Sequence, residues 1–245
     1  VVKVGSEKKQ VQHFEGGIVK QLYVKEGDRV KQDQLLLLLD GTFAGADYQI
    51  LSMQRQELII REALLTAQRD EQAELKFPDE LKILDENDWL IRQKESALKL
   101  FQLSQSSLKS KLLVLDAQIE QLKENIKGDE LELVLKKKQI SFMADEVESW
   151  KKLVDQKFAN KLRYLEIQSE LAEVKGEIAQ QEMKLTSTQA KINELNFEKV
   201  RIDQSFKEAA ASELVEVHYQ IKDLSKRVDS ASNVLGRIEI KAPVA

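Results

Sequence analysis

The sequence predicts a mostly α-helical protein: a long antiparallel coiled-coil hairpin with an extra first helix, inserted in a split and incomplete β domain. Three observations lead to this fold class. A heptad pattern of apolar residues runs through most of the chain. Glycine and proline are rare, with nine and two among 245 residues. Short alternating patterns, typical of β-strands, stand at both ends of the sequence.

The first β segment is predicted to occupy residues 1–44. The stretch from Ile18 to Val24 alternates between two faces with a period of two, as a strand does. Gly16 and Gly17 precede it, and Gly27 and Asp28 follow it. We expect both pairs to form turns, since glycine adopts positive φ without steric cost. The run LLLLL at 35–39 is short and apolar, which predicts a buried strand.

A helical domain is predicted over 45–236, and it opens with a helix at about 46–74. Pro78 interrupts the helical pattern after that point. The next predicted helix, 79–155, carries the clearest heptad signal of the sequence. Steps of three and four from Leu98 to Val154 give seventeen positions, of which fourteen are apolar. Such a seam requires a partner helix.

The partner is predicted to be the returning helix at 162–235, after a polar tip at 155–162. Its apolar heptads slip by about one residue near EAAAS at 208–212, and Gly236 ends it. The two arms on either side of Phe158 are equal in length, each on the order of 110 Å, which favours an antiparallel hairpin. Residues 237–245 return to a β pattern. The first helix either folds back along the hairpin or lies beside the β domain.

Composition excludes several classes of function. The chain has no cysteine, which excludes disulfides and thiolate chemistry. The net charge is −4 and charges of both signs alternate, so no basic surface for nucleic acid is expected. No apolar run is long enough to predict a transmembrane helix. The motifs of zinc proteases, P-loops, nucleophile elbows and dinucleotide sites are absent from the sequence, and we expect no enzymatic activity, no metal and no cofactor.

The β segments resemble the two halves of the lipoyl/biotinyl fold. The residues that carry this resemblance are Val24, Gly27, Asp28, Val30 and 36–39 in the first half, and Ala242 and Pro243 in the second. In cofactor carriers of this fold, a modified lysine lies in the hairpin between the halves. Phe43 stands at that position here, so the carrier function is disfavoured.

The order of these segments resembles the membrane fusion proteins, or periplasmic adaptors. VQHFEGGIVKQLYVKEGDRVKQDQLLLLLD is similar to the start of the haemolysin D family of type I secretion adaptors. LVDQKFANKLRYLEIQSELAEVKGEI is similar to that family's hairpin tip and returning arm, and IEIKAPV to its second lipoyl half. The resemblance covers essentially the whole chain.

This resemblance implies a protein of the periplasm, anchored in the inner membrane through a segment absent from this chain. Its implied partners are an inner-membrane ABC transporter, a TolC-like outer-membrane channel, an exported polypeptide and further copies of itself in a ring of six. Two alternatives stay open. One is a drug-efflux adaptor with small-molecule cargo, and the other is a coiled-coil tether that transports nothing.

The tip is the predicted docking site for the channel. In adaptors of this kind the tip carries an arginine, then a leucine, then a serine or threonine; Ser149, Leu153 and Asn160 stand at those positions here. Phe158 is a large apolar residue at the expected apex. The predicted docking residues are Leu153, Phe158, Asn160, Lys161 and Arg163.

Overall fold

The structure, a computed structural model, describes residues 10–13, 15–82 and 88–243. The chain divides into two compact units. One unit holds both ends of the chain, up to Gln102 and from Glu208, and the other is Leu103–Lys207.

Both ends of the chain contribute to one antiparallel sheet in the first unit. Its strands are β1 (Val19–Leu22), β2 (Leu35–Leu39) and β3 (Glu239–Lys241), in the order β1-β2-β3. The backbone N–H of Ala242 extends the β2–β3 pairing by donating to the carbonyl of Gln34 at 2.9 Å. The predicted leucine strand exists, but it is only partly buried, because Leu39 alone among its residues is fully covered.

Helix α1 spans Thr42–Arg69, so it begins and ends about four to five residues before the predicted bounds. Its N-cap is Gly41, whose carbonyl accepts the first helical hydrogen bond from the Gly45 N–H at 2.7 Å. Before the N-cap, one carboxylate oxygen of Asp40 accepts hydrogen bonds from the Thr42 N–H at 3.0 Å and the Thr42 hydroxyl at 2.6 Å. The helix ends early because Glu71 takes a left-handed conformation, φ 52°, and the Gln72 N–H donates to the Ala67 carbonyl at 2.9 Å.

Helix α1 folds back along the end of the hairpin, which resolves the question that the sequence left open. Leu65 of α1 packs with Leu214, Val217 and Ala210 of α4 (Lys161–Gly236). The pairing is antiparallel, since Arg55 bonds to Ser225 at 3.1 Å whereas Leu65, further along α1, lies among earlier residues of α4.

The segment that follows α1 adds a second cluster in the same unit. It contains a short helix α2 (Asp79–Lys82), and α3 covers Asp88–Asp155. The sequence predicts one helix over 79–155; its residues 83–87 lie outside the described part of the chain. Buried residues of α1, the connecting segment and α3 form the cluster: Ile59, Ile60, Leu64, Ala67, Leu75, Leu81, Leu90, Ala97 and Phe101.

The predicted seam of α3 is confirmed from Phe101 onward. Every predicted position from Phe101 to Val154 is buried or half-buried, and nearly all residues between them are exposed. The prediction is wrong at Leu98, which is exposed. Ala97 is buried instead, because the first turns of α3 pack into the α1 cluster.

In the unit Leu103–Lys207, α3 and α4 are antiparallel. Asp129 receives hydrogen bonds from Lys184 Nζ at 2.8 Å and Gln181 Nε2 at 3.1 Å, and Lys136 Nζ donates to Glu177 at 3.0 Å. The pair closer to the tip on α3, Lys136, has its partner closer to the tip on α4 as well, which is the pattern of antiparallel helices. Asp129 and Lys136 are the polar seam positions expected to fix the register, and both are only partly exposed.

The heptad slip of α4 has a packing cause within the first unit. Ala210 and Leu214, which flank the slip, are buried against Leu65 of α1. Helix α4 thus faces α1 as well as the hairpin there, and a single stripe of apolar residues cannot cover two partner helices.

Candidate docking site at the hairpin tip

The tip begins where α3 ends, in a tightly bonded turn. The Phe158 N–H donates to the Leu153 carbonyl at 2.9 Å, and the Lys157 N–H to the Val154 carbonyl at 3.0 Å. This pair of bonds is a Schellman motif, in which the penultimate residue takes the left-handed conformation. Lys157 takes it, with φ 63°, where glycine is the usual residue.

Asn160 begins the returning helix. Its side-chain oxygen accepts a hydrogen bond from the Leu162 N–H at 3.0 Å, which is the geometry of a helix N-cap. The carbonyls of residues 152–154 at the end of α3 and the N–H of Leu162 at the start of α4 therefore have partners within the tip. The short segment between them has a defined conformation, because its backbone groups are bonded on either side.

Phe158 projects from this turn with 80% of its surface exposed. Leu153, Leu162 and Leu165 nearby in sequence are also exposed, because they lie off the seam that Val154, Tyr164 and Ile167 continue. Four large apolar side chains at one end of a hairpin are a concentration that marks a partner surface more often than scattered exposed residues do.

Positive charge surrounds these apolar residues. Residues 151–166 contain five lysines and arginines and two acids, a net of +3, whereas the whole chain has a net charge of −4. Lys152 Nζ bonds to Glu148 at 2.8 Å, and this hydrogen bond raises the pKa of Lys152 and lowers the pKa of Glu148. Arg163 pairs with Glu166 at 3.1 Å. The surface suits an apolar partner that carries acidic groups.

The predicted docking residues have different surroundings. Asn160 uses its side-chain oxygen in capping α4, and Arg163 is engaged by Glu166. Phe158 and Lys161 extend into solvent. Ser149, at the position of the arginine in the motif, donates its hydroxyl to the Asp145 carbonyl at 2.8 Å.

Leu162 and Leu165 were not among the predicted docking residues, although the sequence held the signal. Counting the heptads back from Leu171 puts Ile167 and Tyr164 on the seam and leaves both leucines outside it.

A turn is present at residues 26–27, as predicted for Gly27 and Asp28, whereas Gly16 and Gly17 lie in an irregular segment after a bend at Glu15. Gly16, Gly17 and Gly27 have φ values of 72°, 155° and 94°, which side chains disfavour. Asp28 closes its turn by accepting the Lys25 N–H at 2.7 Å. Phe43, at the position of the carrier lysine, lies in the first turn of α1 and is exposed.

Within residues 10–13, 15–82 and 88–243, no three histidine, aspartate or glutamate side chains lie close enough together to hold a metal ion. In the same described segments, no helix combines the length and apolar character that crossing a membrane requires.

The chain is similar to known secretion proteins. It is 27% identical over 245 residues to the type I secretion system membrane fusion protein PrsE of Rhizobium meliloti (strain 1021), with all of this chain and 56% of PrsE covered. It is 27% identical over 251 residues to the proteases secretion protein PrtE of Dickeya chrysanthemi, of which 54% is covered. The chain thus spans about half the length of these relatives.

A solved structure has the same fold. The soluble domain of LipC, a membrane fusion protein of a type I secretion system, superposes with a TM-score of 0.93 over 97% of this chain and 90% of that domain, at 23% identity. Residues 44–234 match the family described as "AprE, long alpha-helical hairpin", and the match covers most of the chain. The predicted resemblance to membrane fusion proteins is confirmed by these relatives, and the chain belongs to the AprE long α-helical hairpin family.

Proposed function

We propose that this chain is the periplasmic part of an adaptor in a type I secretion system. The adaptor links an inner-membrane ABC transporter to a TolC-like outer-membrane channel, and its cargo is a polypeptide. It is anchored in the inner membrane and acts without enzymatic activity. The names of PrsE and PrtE support this assignment, because both are secretion proteins that align with the whole chain.

The observation that carries the proposal is the tip. A capped turn presents Phe158 to solvent among exposed leucines, within a segment of net positive charge. A turn whose backbone is hydrogen-bonded at both ends has less conformational entropy to lose when a partner docks. We assign the docking contact with the channel to this surface: Leu153, Phe158, Asn160, Lys161 and Arg163 as expected from the sequence, with Leu162 and Leu165 added.

The domain division follows from the same proposal. Residues 1–44 and 237–245 belong to a lipoyl-like β domain, and 45–236 form the inserted helical domain. The pairing of β2 with β3 supports this division, since it joins the two ends of the chain in one sheet. A simple tether does not require such a junction, so the sheet favours an adaptor over a tether.

Site-specific photocrosslinking in living cells tests the proposal. A photoreactive amino acid replaces Phe158 or Asn160 in the complete protein. Tyr219 serves as a control because it is also an exposed aromatic residue, at 69% against 80% for Phe158, and lies about 60 residues further along the chain. We expect crosslinks to an outer-membrane channel from the tip positions and not from Tyr219. Tip crosslinks to unrelated proteins alone, or equal crosslinks from Tyr219, would refute the docking role.

A further inference from the structure

The seam between α3 and α4 changes its character over one short section of the second compact unit. The ion pair between Lys136 and Glu177, at 3.0 Å, sets the level of the two antiparallel helices. At that level, residues 128–137 of α3 lie opposite residues 176–185 of α4. We call these two segments the polar section. Each is about 14 Å long, since a helix rises about 1.5 Å per residue.

Half of the covered positions in the polar section carry polar side chains. Six of its residues are buried or half-buried, and three of these are Asp129, Lys136 and Gln181. The four seam positions of α3 between this section and the tip, from Ile140 to Trp150, are all apolar. Because buried apolar surface holds the helices of a coiled coil together, the two helices are held less strongly in the polar section than nearer the tip.

Ion pairs and hydrogen bonds with exposed partners join the helices in this section. Asp129 accepts hydrogen bonds from Lys184 Nζ at 2.8 Å and from Gln181 Nε2 at 3.1 Å. Lys137 Nζ pairs with Glu182 at 2.8 Å, and both of these side chains are at least half exposed. Exposed ion pairs contribute little to stability, and salt screens them. The contact between the helices is therefore weak here and depends on ionic strength.

A glycine stands at each end of the polar section, on opposite helices. Gly128 is level with Leu185 at the end far from the tip, and Gly176 is level with Lys137 at the end near the tip. They are the only glycines between residues 103 and 207. A Cβ at either position would meet nothing within 4 Å, so packing within this chain does not require glycine there. Glycine disfavours the helix about fivefold relative to alanine.

Opposite each glycine, the other helix carries a hydroxyl group that bonds to its own backbone. The Thr186 hydroxyl, beside the level of Gly128, donates to the carbonyl four residues earlier at 3.0 Å. The Ser141 hydroxyl donates at 2.7 Å to the carbonyl of Lys138, which lies beside the level of Gly176. Such bonds compete with the backbone hydrogen bonds of a helix and favour bending. Both helices are thus weakened at the same two levels.

We propose that the polar section is a joint at which the hairpin of α3 and α4 bends, so that the tip adjusts its direction to the partner on which it docks. Helices bend at glycines and where side chains interfere with the backbone bonds, and the two causes coincide at both ends of the section. Few apolar contacts are broken when it bends. The use of the joint in docking rests on the adaptor function proposed above.

Hydrogen–deuterium exchange followed by mass spectrometry tests the joint in the complete protein. We expect the amide protection factors in the polar section to be at least tenfold lower than those of the apolar stretches 108–122 and 140–150 of α3. Raising the salt concentration from about 0.05 M to about 0.5 M should lower protection a further threefold or more in the polar section alone, because its ion pairs are screened.

A stiffened variant combines Gly128→Ala with Gly176→Ala. Protection in the polar section should rise at least fivefold, because alanine favours the helix and its methyl group has room at both positions. In cells, we expect this variant to reduce export at least threefold at normal adaptor levels. Ser110→Ala with Asn193→Ala changes exposed positions of the same helices outside the section, and it should alter neither protection nor export.

A rescue variant separates bending from any surface contact that the glycines make. Adding Lys127→Gly and Lys175→Gly to the stiffened variant moves each glycine by one residue, so the flexible points return whereas the original glycine surfaces do not. We expect both the rapid exchange and the export to recover.

Four results would overturn the inference: equal protection in the polar section and the apolar stretches; rapid exchange confined to Gly128 and Gly176 themselves; normal export by the stiffened variant; or no recovery in the rescue variant. Failure of the docking proposal is distinguishable. Channel crosslinks from Phe158 together with uniform protection refute only the joint, and a weakly protected section without channel crosslinks refutes only the docking site.

Discussion

Lys157 shows how one residue shapes the tip. Its left-handed conformation lets the chain leave α3 in a Schellman motif, so that the N–H groups of Lys157 and Phe158 bond to the last turn. A lysine side chain is strained in this conformation, whereas glycine is not. The sequence gives no sign of this conformation, since no glycine or asparagine stands at the end of α3.

We predict that Lys157→Gly stabilises the chain by about 0.5–1 kcal/mol, since it removes this backbone strain. Lys109→Gly, within α3, makes the same chemical change at a regular helical position and is expected to destabilise by about 1 kcal/mol. Thermal unfolding followed by circular dichroism measures both. A loss of stability in both variants would contradict the strain at Lys157.

Asp40 gives a pH-dependent prediction at the start of α1. Hydrogen bonds from the Thr42 hydroxyl and then the Thr42 N–H lower the pKa of Asp40 below its ordinary value of 3.8. Because the pKa is lower in the folded state, the charged form stabilises the fold above pH 3.8, and this stabilisation is lost as pH falls through the lowered value.

We therefore expect Asp40→Asn to melt at a lower temperature than the parent at pH 7, with a difference that closes as the pH falls below about 4. Thr42→Val, which removes the hydroxyl donor, should show a smaller difference at pH 7 that also shrinks in acid. The measurement is the melting temperature of the parent and of both variants between pH 7 and pH 2. A difference between parent and Asp40→Asn that does not change with pH would contradict stabilisation by the charged carboxylate.

At the scale of elements, periodic segments were predictable and their ends were not. The seam of α3 from Phe101 to Val154 follows from heptad spacing alone, because burial in a two-helix seam depends on position. The end of α1 was not predictable, since the residues after Arg69 favour helix and no glycine or proline stops them before Pro78. The exposure of Leu98 was missed because a third helix replaces the heptad register there.

We predict that the polar seam position Asp129 selects the register of the hairpin. Asp129→Leu should raise the melting temperature by about 2–4 °C, since an apolar residue replaces a charge in the seam, but it should also admit other registers. Spin labels at Gln139 and Lys175 report the distance between the helices. We expect one distance in the parent and a broader distribution in the variant. Ser141→Leu, outside the seam, is the control and should leave the distribution narrow.

At the scale of the whole molecule, the family of the chain was predictable from the order of its segments. The β halves, the hairpin and the tip follow one another in the order that resembles a membrane fusion protein, and the relatives confirm that resemblance. Which of the proposed docking residues have free side chains cannot be predicted from their spacing in the sequence. Whether Asn160 and Arg163 are available to a partner depends on their bonds to Leu162 and Glu166, which only the structure reveals.

We predict that Phe158→Asp reduces export at least tenfold, because a charge replaces the central apolar contact and such contacts often account for about 2 kcal/mol of binding. Tyr219→Asp places the same charge on another largely exposed aromatic position, in α4, and should leave export near the parental level. Secreted cargo and the cellular level of the adaptor are measured together. Normal export by Phe158→Asp at normal adaptor levels would contradict the docking role.

The pairing of β2 with β3 has a consequence for how the chain folds. Gln34 and Ala242, which are bonded through their backbones, are roughly 200 residues apart in the sequence, and closing so long an open loop early is entropically unfavourable. Helix pairing that starts at the five-residue turn 156–160 needs only local contacts, and local contacts form faster. We therefore expect the pairing of β3 with β2 to form last, whereas β1 and β2 pair locally. Until residue 242 has been synthesised, one edge of β2 has no partner, and a chain interrupted before that point exposes an open strand edge to aggregation.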